Sequence, residues 1–415
     1  MSSSPINQLP TEILTSIFLC STEFVHKAFI RTRMTGLSRQ LTILRLVCSR
    51  WDNIVVKTPS FWTLLCLHPP SMSFEHSKSP PADALSLWLE RSADLPLNIA
   101  HIHLIRDYFE EESPGVLDVL RQSTVRWRTA DIYVAGDTSH ILAQFSFTDA
   151  LCLHTLSYEA FSERESIDII KNVGNPPNLR SFSLAVPSPL AARTMSSYMA
   201  NVLKNLTHID LAFSTDWDEA WQVLRQCSSA VQMVLELRCP LTNSNVSNPP
   251  SPVTFDNLMI LNINTRPWMH LTTLLPLQLL QAPNLNALTL STTPAPDFPF
   301  VEKLSDYLAG TARSLYLLRL GHISIDDTKR LLGAPNVTRV PVVEVISRGD
   351  HEELKDLLKT WHNEAERDVK VARDLHSPKL PVLGWNDRSV TPSASLSNYL
   401  SDSFVKPLNM SLLSD

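Results

Sequence analysis

The chain has 415 residues, too many for one ordinary core, so its length predicts several domains or a repeat array. It carries 36 basic and 42 acidic side chains, a net charge of -6, and no basic block, which argues against nucleic acid as a partner. Its six cysteines include no C-x-x-C pair, and several sit in apolar runs, which argues against a disulfide framework or a zinc site and fits a reducing compartment.

The chain starts Met-Ser-Ser-Ser-Pro, without the charged start and apolar core of a signal peptide. The most apolar later stretch, Leu271 to Leu280, is too short for a membrane span and contains Pro276. The expectation is a soluble protein of the cytoplasm or nucleus with no membrane partner.

The first sixty residues read as helices. Leu9-Pro10 opens the first, because proline is preset for a first helical turn. Ile13, Leu14, Ile17 and Phe18 then follow one stripe at helical spacing. A polar connector is expected from about Ser21 to Arg39. A second apolar helix is expected over Leu41–Cys48, and a short third one from Trp51 to Pro59. The stretch 68–82, rich in proline and serine, predicts a loop.

A six-residue pattern then recurs: apolar, two free positions, apolar, one free, apolar. It stands at Leu97–Ile102, Trp127–Ile132, Leu153–Tyr158, Leu179–Leu184, Leu206–Leu211, Leu258–Ile263, Leu285–Leu290 and Leu315–Leu320. A weaker copy is placed at Gln232–Leu237 and a terminal one at Val337–Val342. Successive starts lie 30, 26, 26, 27, 26, 26, 27, 30 and 22 residues apart, a regularity that chance apolar triplets do not produce. The alternation at the end of each copy suits a short strand, and segments such as 162–172, 216–227 and 300–309 have helical patterning. Ser162 and Glu165 have the spacing of a capping box. One strand with one helix cannot bury its own apolar face, whereas stacked copies share a core. This pattern resembles the leucine-rich repeat over residues 63–345. The resemblance implies an α/β fold in which an irregular αβ solenoid carries the repeats. Where such repeats place a capping Asn or Cys after the strand, this chain has Pro187, Ser214, Pro240, Arg266 and Thr293, so no ladder is expected there.

Residues 346–376 predict a capping helix, with Leu354, Leu357, Leu358 and Trp361 on one side over His351–Val371. Residues 377–415, rich in serine, proline and asparagine, predict a flexible tail.

Residues 1–62 resemble an F-box. The matching runs are Leu9-Pro10-x-Glu12-Ile13-Leu14-x-x-Ile17-Phe18, then Leu44-x-Leu46-Val47-Cys48-x-Arg50-Trp51, then Pro59-x-Phe61-Trp62. The distance from Leu9 to Trp51 exceeds that of a compact F-box, with the extra residues near His26–Arg39. The resemblance implies that this helical module docks on a Skp-type adaptor through Leu9, Pro10, Ile13, Leu14, Ile17, Phe18, Leu46, Val47, Cys48 and Trp51. The adaptor would link it to a cullin and a RING subunit of an SCF-type ubiquitin ligase. The repeats would recruit an unknown protein substrate for ubiquitin-dependent degradation; the alternative is a non-degradative repeat scaffold for protein–protein interaction.

No phosphate loop, H-E-x-x-H or other catalytic motif is present, so no catalytic residue, metal site, cofactor or enzymatic activity is expected. His101 and His103 could share a strand face but have no further ligands nearby in sequence. Alternation along the strands turns Asp131, Ser157, Ser183, Asp210, Glu236, Asn262, Thr289 and Arg319 away from the core, which makes this row the candidate substrate face.

Overall fold

The computed structural model describes residues 5–32, 36–66, 82–105, 115–135, 145–160, 162–186, 188–214, 217–238, 251–265, 270–271, 277, 279–291, 293–294, 299–311, 314–321, 323–346 and 368–371. It is a mixed α/β structure built on parallel strands. The chain forms two compact units, 1–159 with 176–178, and 160–175 with 179–415.

The first unit opens with helices α1 (Thr11–Thr32), α2 (Gly36–Val47) and α3 (Ser49–Lys57). The expected polar connector over 21–39 is therefore corrected: most of it is helix. No glycine or proline interrupts 11–32, so nothing in that stretch breaks the backbone ladder. Leu14 and Phe18 of α1, Leu41 and Leu44 of α2, and Ile54 and Val55 of α3 close one core with Phe61 and Trp62. The last two lie on a single 3-10 turn, Pro59–Trp62, whose proline sits at its first position.

The same unit continues with β1 (Leu64–Cys66), α4 (Ala82–Arg91), β2 (Leu97–Ile105), α5 (Val116–Ser123), β3 (Trp127–Ala135) and β4 (Thr155–Ala160). Strands β1 to β4 follow chain order in a parallel sheet. Trp62 joins α4 to the N-terminal helices. Its Nε1 donates to the Val55 carbonyl at 2.9 Å, and its own carbonyl accepts from Trp88 Nε1 at 2.7 Å. The two rings meet edge to face at 4.8 Å, and the Arg91 guanidinium lies over Trp62 at 4.6 Å. Trp127 is fully buried between Phe145 and Phe147, its Nε1 donating to Ser123 Oγ at 2.9 Å.

The second unit begins with α6 (Glu163–Asn172), β5 (Ser181–Val186), α7 (Pro189–Tyr198), α8 (Ala200–Asn205), β6 (His208–Phe213), α9 (Trp217–Leu224) and β7 (Gln232–Leu237). It continues with β8 (Val253–Thr254), β9 (Ile260–Thr265), β10 (His270–Leu271), β11 (Leu280–Gln281), β12 (Ala287–Ser291) and β13 (Thr293–Pro294). It ends with α10 (Phe300–Thr311), β14 (Leu317–Gly321), α11 (Ile325–Leu332), β15 (Val342–Ile346) and β16 (Asp368–Val371). The sheet order is β5-β6-β7-β9-β12-β14-β15-β16, and β8/β11 and β10/β13 form two short parallel pairs beside it.

Register makes the repeat explicit. Phe182, Ile209, Met233, Leu261, Leu288, Leu318, Val343 and Val369 stand opposite one another across the strands. Leu184, Leu211, Leu235, Ile263, Leu290, Leu320, Val345 and Val371 form the next such row. From β5 to β15 both rows are buried, and each such side chain contributes roughly 1.5–3 kcal/mol relative to exposure. Serine hydroxyls start three of the helices: Ser162, Ser188 and Ser324 accept from the N–H groups of Glu165, Ala191 and Asp327. The capping box of α6 is complete, with Glu165 Oε2 accepting from the Ser162 N–H at 3.0 Å.

Two repeat assignments and the end of the expected capping helix are corrected. Register pairs Ile209 with Met233 and Leu211 with Leu235, so the weak copy is Ala230–Leu235 rather than Gln232–Leu237. The terminal copy is Val340–Val345, because Val337–Arg339 is a 3-10 turn and the strand begins at Val342. Asp368–Val371 does not end a helix; it is a strand paired with β15. The rest of the expected capping helix, 347–367 and 372–376, and the tail 377–415 lie outside the described residues.

Carbonyl–amide contacts link successive copies. The Arg180 carbonyl accepts from the N–H groups of Thr207 and His208, that of Thr207 from Val231 and Gln232, and that of Val231 from Met259 and Ile260. Asparagines do bond across copies, but one residue before the apolar hexad rather than after it. Asn178 Nδ2 donates to the Leu151 carbonyl at 2.7 Å and Asn284 Nδ2 to that of Asp256 at 2.8 Å.

Candidate docking surfaces

Two surfaces carry the residues singled out from sequence, one in each unit. In the N-terminal helices, the structure sorts the ten candidate docking residues by exposure. Leu14 and Phe18 are core, which corrects their assignment: they hold α1 to α2 and α3 and present nothing outward. Leu9, Cys48 and Trp51 are half-buried. Trp51 packs against Phe18 with tilted rings 4.5 Å apart and its Nε1 enclosed, so it supports the module more than it offers a contact. Arg50 ties Leu9 down by donating from Nη2 to the Leu9 carbonyl.

The remaining five, Pro10, Ile13, Ile17, Leu46 and Val47, are exposed. Ile43, absent from the sequence-derived set, joins them. Ile13, Ile17, Ile43, Leu46 and Val47 are between 44 and 79% exposed although the core beside them is closed. They sit at i and i+4 on α1, and at i, i+3 and i+4 on α2. Each helix thus carries one apolar stripe inward and a second apolar set outward. The spacing of Ile43 from Leu46 and Val47 is the signal that could have found it.

The second surface is a sheet face of the second unit. Ser183, Asp210, Val234, Asn262, Thr289, Arg319 and Glu344 form one register row across β5, β6, β7, β9, β12, β14 and β15. Five of the expected residues therefore share a row. Glu236 does not: it lies two residues further along the same face, opposite Ala212 and Asn264, because the weak repeat copy is shifted. Asp131 and Ser157 belong to the first unit, on β3 and β4; both are held in interactions, and Ser157 is buried. Glu344, missed from sequence, completes the row at β15.

This face is not the solvated surface that the alternation suggests. Ser183, Glu236, Asn262, Thr289 and Arg319 are all buried. Arg319 Nε donates to Glu344 Oε2 at 2.6 Å, and Arg238 binds Glu236 through Nε at 2.9 Å and Nη2 at 3.2 Å. Ser183 Oγ, Asn262 Oδ1, Thr289 Oγ1 and Arg319 Nη1 are enclosed without a hydrogen-bond partner. Burial, reinforced by Glu236 and opposed by Arg238, pushes the Asp210 carboxyl up to about 7. An apolar shelf runs beside the row, where Ala287, Leu317 and Val342 pack with Ile260.

Among the described residues, no group of three or more His, Cys, Asp or Glu could hold a metal ion, and no helix is long and apolar enough to cross a membrane. The side chains of His101 and His103 lie outside the described residues. Cys227 is buried, its thiol pushed up to about 12 by desolvation, which makes it a small apolar residue rather than a nucleophile. Compared with known proteins, the chain matches no family model and no curated protein.

Proposed function

We propose that the N-terminal helices are an F-box that docks on a Skp-type adaptor, and that the repeat strands form a leucine-rich-repeat-like solenoid that binds a protein substrate. On this reading the chain is a substrate-recruiting subunit of an SCF-type cullin–RING ubiquitin ligase. It makes and breaks no bonds; it raises the local concentration of substrate lysines near the conjugating enzyme.

The observation that carries the reading is the outward apolar set Ile13, Ile17, Ile43, Leu46 and Val47 beside a core already closed by Leu14, Phe18, Leu41 and Leu44. A small helical module gains nothing in stability from five such side chains in water. A partner groove that desolvates them gives each a role.

The test is co-purification of the full-length chain with a Skp-type adaptor, comparing wild type with an Ile17→Asp, Leu46→Asp double variant. Both sites are exposed, so the variant keeps the wild-type circular dichroism and melting temperature. Loss of roughly 2 kcal/mol or more of affinity is expected from a desolvated docking pair. Wild type that fails to bind where an established F-box protein binds would sink the adaptor reading.

A further inference from the structure

Asn262, Thr289 and Arg319 stand side by side on β9, β12 and β14, and each holds an enclosed polar atom with no partner. They are 8, 6 and 6% exposed, so the side chains are nearly but not fully covered. Native interiors leave few such groups unpaired. Three on adjacent strands in one register row define a built polar strip rather than a scattered defect.

The chemistry of the strip is that of neutral amides. Asn262 Oδ1 needs a donor, Thr289 Oγ1 can give or take, and Arg319 Nη1 needs an acceptor. Arg319 is already neutralised by Glu344, and Arg238 by Glu236, so neither guanidinium is left as an open anion site. Glu236 is thus itself balanced by Arg238, and among the described residues Asp210 is the acidic group of this face without a salt-bridge partner at hand. Lys370 holds the register position after Glu344.

The surroundings fit a chain in extended conformation. Adjacent strands lie about 4.8 Å apart, so the three side chains span roughly 10 Å, about three residues of extended peptide. On one side runs the apolar shelf of Ile260, Ala287, Leu317 and Val342. On the other, Gly321 faces Ser291 so closely that a Cβ would come within 3.0 Å of Ser291 Oγ, which keeps that flank low.

We propose that Asn262, Thr289 and Arg319 bind a short extended segment of a partner polypeptide that carries no phosphate, pairing its backbone amides with their unpartnered atoms and its apolar side chains with the adjacent shelf. Binding on this reading requires Thr289 to turn about χ1 and Asn262 about χ2 to present their enclosed oxygens, a kind of rotamer change that is common at interfaces. A phosphate would have to break the Arg319–Glu344 pair and face the carboxyl of Asp210 in the same row. This inference rests on the second unit being the partner-binding part of the chain, and it narrows the class of substrate.

The experiment uses phage-displayed random dodecamer peptides selected on the immobilised full-length chain. Enriched peptides are then synthesised with and without a phosphoserine at each position. Asn262→Leu and Thr289→Val are expected to weaken binding roughly tenfold or more, while Thr289→Ser retains it. The same two apolar variants are expected to raise the melting temperature of the free chain by about 2–4 °C, because each removes a polar atom that has no partner. A purely structural role for these side chains would lower it. Phosphoserine is expected to weaken binding roughly tenfold at every position facing the strip. Peptides that bind equally well to the Asn262→Leu and Thr289→Val chains overturn the inference and leave adaptor docking intact. Tighter binding of phosphorylated peptides overturns its charge selectivity. No enrichment at all, with the orphaned groups satisfied only by ordered water, overturns it outright.

Discussion

Arg319 and Glu344 face each other across β14 and β15, and Arg319 Nε reaches Glu344 Oε2 at 2.6 Å with side-chain exposures of only 7 and 15%. Removing one partner strands the other charge in a desolvated site. Glu344→Gln is therefore expected to cost about 3–5 kcal/mol of folding free energy in urea titration. The double variant Arg319→Met, Glu344→Leu is expected to recover most of that loss, since it removes both charges together. A double that is no better than the single would show that the pair contributes net stability rather than mutual neutralisation.

Asp210 sets a pH dependence. Its carboxyl is raised to about 7 in the folded chain, first by burial and then by Glu236, with Arg238 opposing. The other groups facing it are the uncharged Ser183 and Val234, its register partners on β5 and β7. The unfolded carboxyl titrates near the ordinary carboxylate value, about 4. Between those limits the native state binds more protons than the unfolded state, so this residue makes stability fall as pH rises from about 4 to 7 and level off above. Asp210→Asn is expected to flatten that segment and to be more stable than wild type above pH 7, as read by chemical denaturation across pH. A variant with an unchanged profile would remove Asp210 as the cause.

Trp62 is the joint between the N-terminal helices and α4. Trp88→Phe keeps an aromatic edge on the Trp62 ring but loses the 2.7 Å donation to its carbonyl. It is expected to cost about 1 kcal/mol in equilibrium unfolding. Trp62→Ala removes a buried ring, its donation to Val55 and the surface under Arg91, and is expected to cost roughly 3–5 kcal/mol. Equal losses in the two variants would contradict the central position assigned to Trp62.

The α6 cap is a local test of the repeat geometry. Ser162→Ala leaves the N–H of Glu165 without its acceptor, and is expected to cost about 1 kcal/mol in thermal or urea unfolding. Ser162→Asp is expected to restore most of it, because a carboxylate accepts the same N–H and is favoured at a helix N-terminus.

The apolar hexad determined much by itself. Leu206-x-x-Ile209-x-Leu211 and its equivalents at Leu179, Leu258, Leu285 and Leu315 each carry a parallel strand of the second unit, because period-two alternation fixes which side chains a strand buries. The Ser162–Glu165 box was equally legible, since a cap is set by residues three apart. What alternation could not show was the partner of each strand. Copies near Gln232 and Val337 were displaced by two and three residues, as apolar neighbours such as Leu237 and Val337 mimic the pattern and only hydrogen-bonded register separates them.

The candidate sites divide in the same way. Sequence named Ile13, Leu14, Ile17 and Phe18 as one stripe, but a helix turning 100° per residue sends Leu14 and Phe18 to the core and leaves Ile13 and Ile17 in water. Sequence also marked Asn262, Thr289 and Arg319 as pointing off the core. It could not show that they are neighbours, that they are nearly buried, or that Glu344 occupies the arginine from a strand 25 residues away. Side-chain direction is a property of the local backbone and is written in the period of the sequence. Burial, pairing and the loss of a hydrogen-bond partner depend on what distant segments bring alongside, and only the tertiary structure decided those.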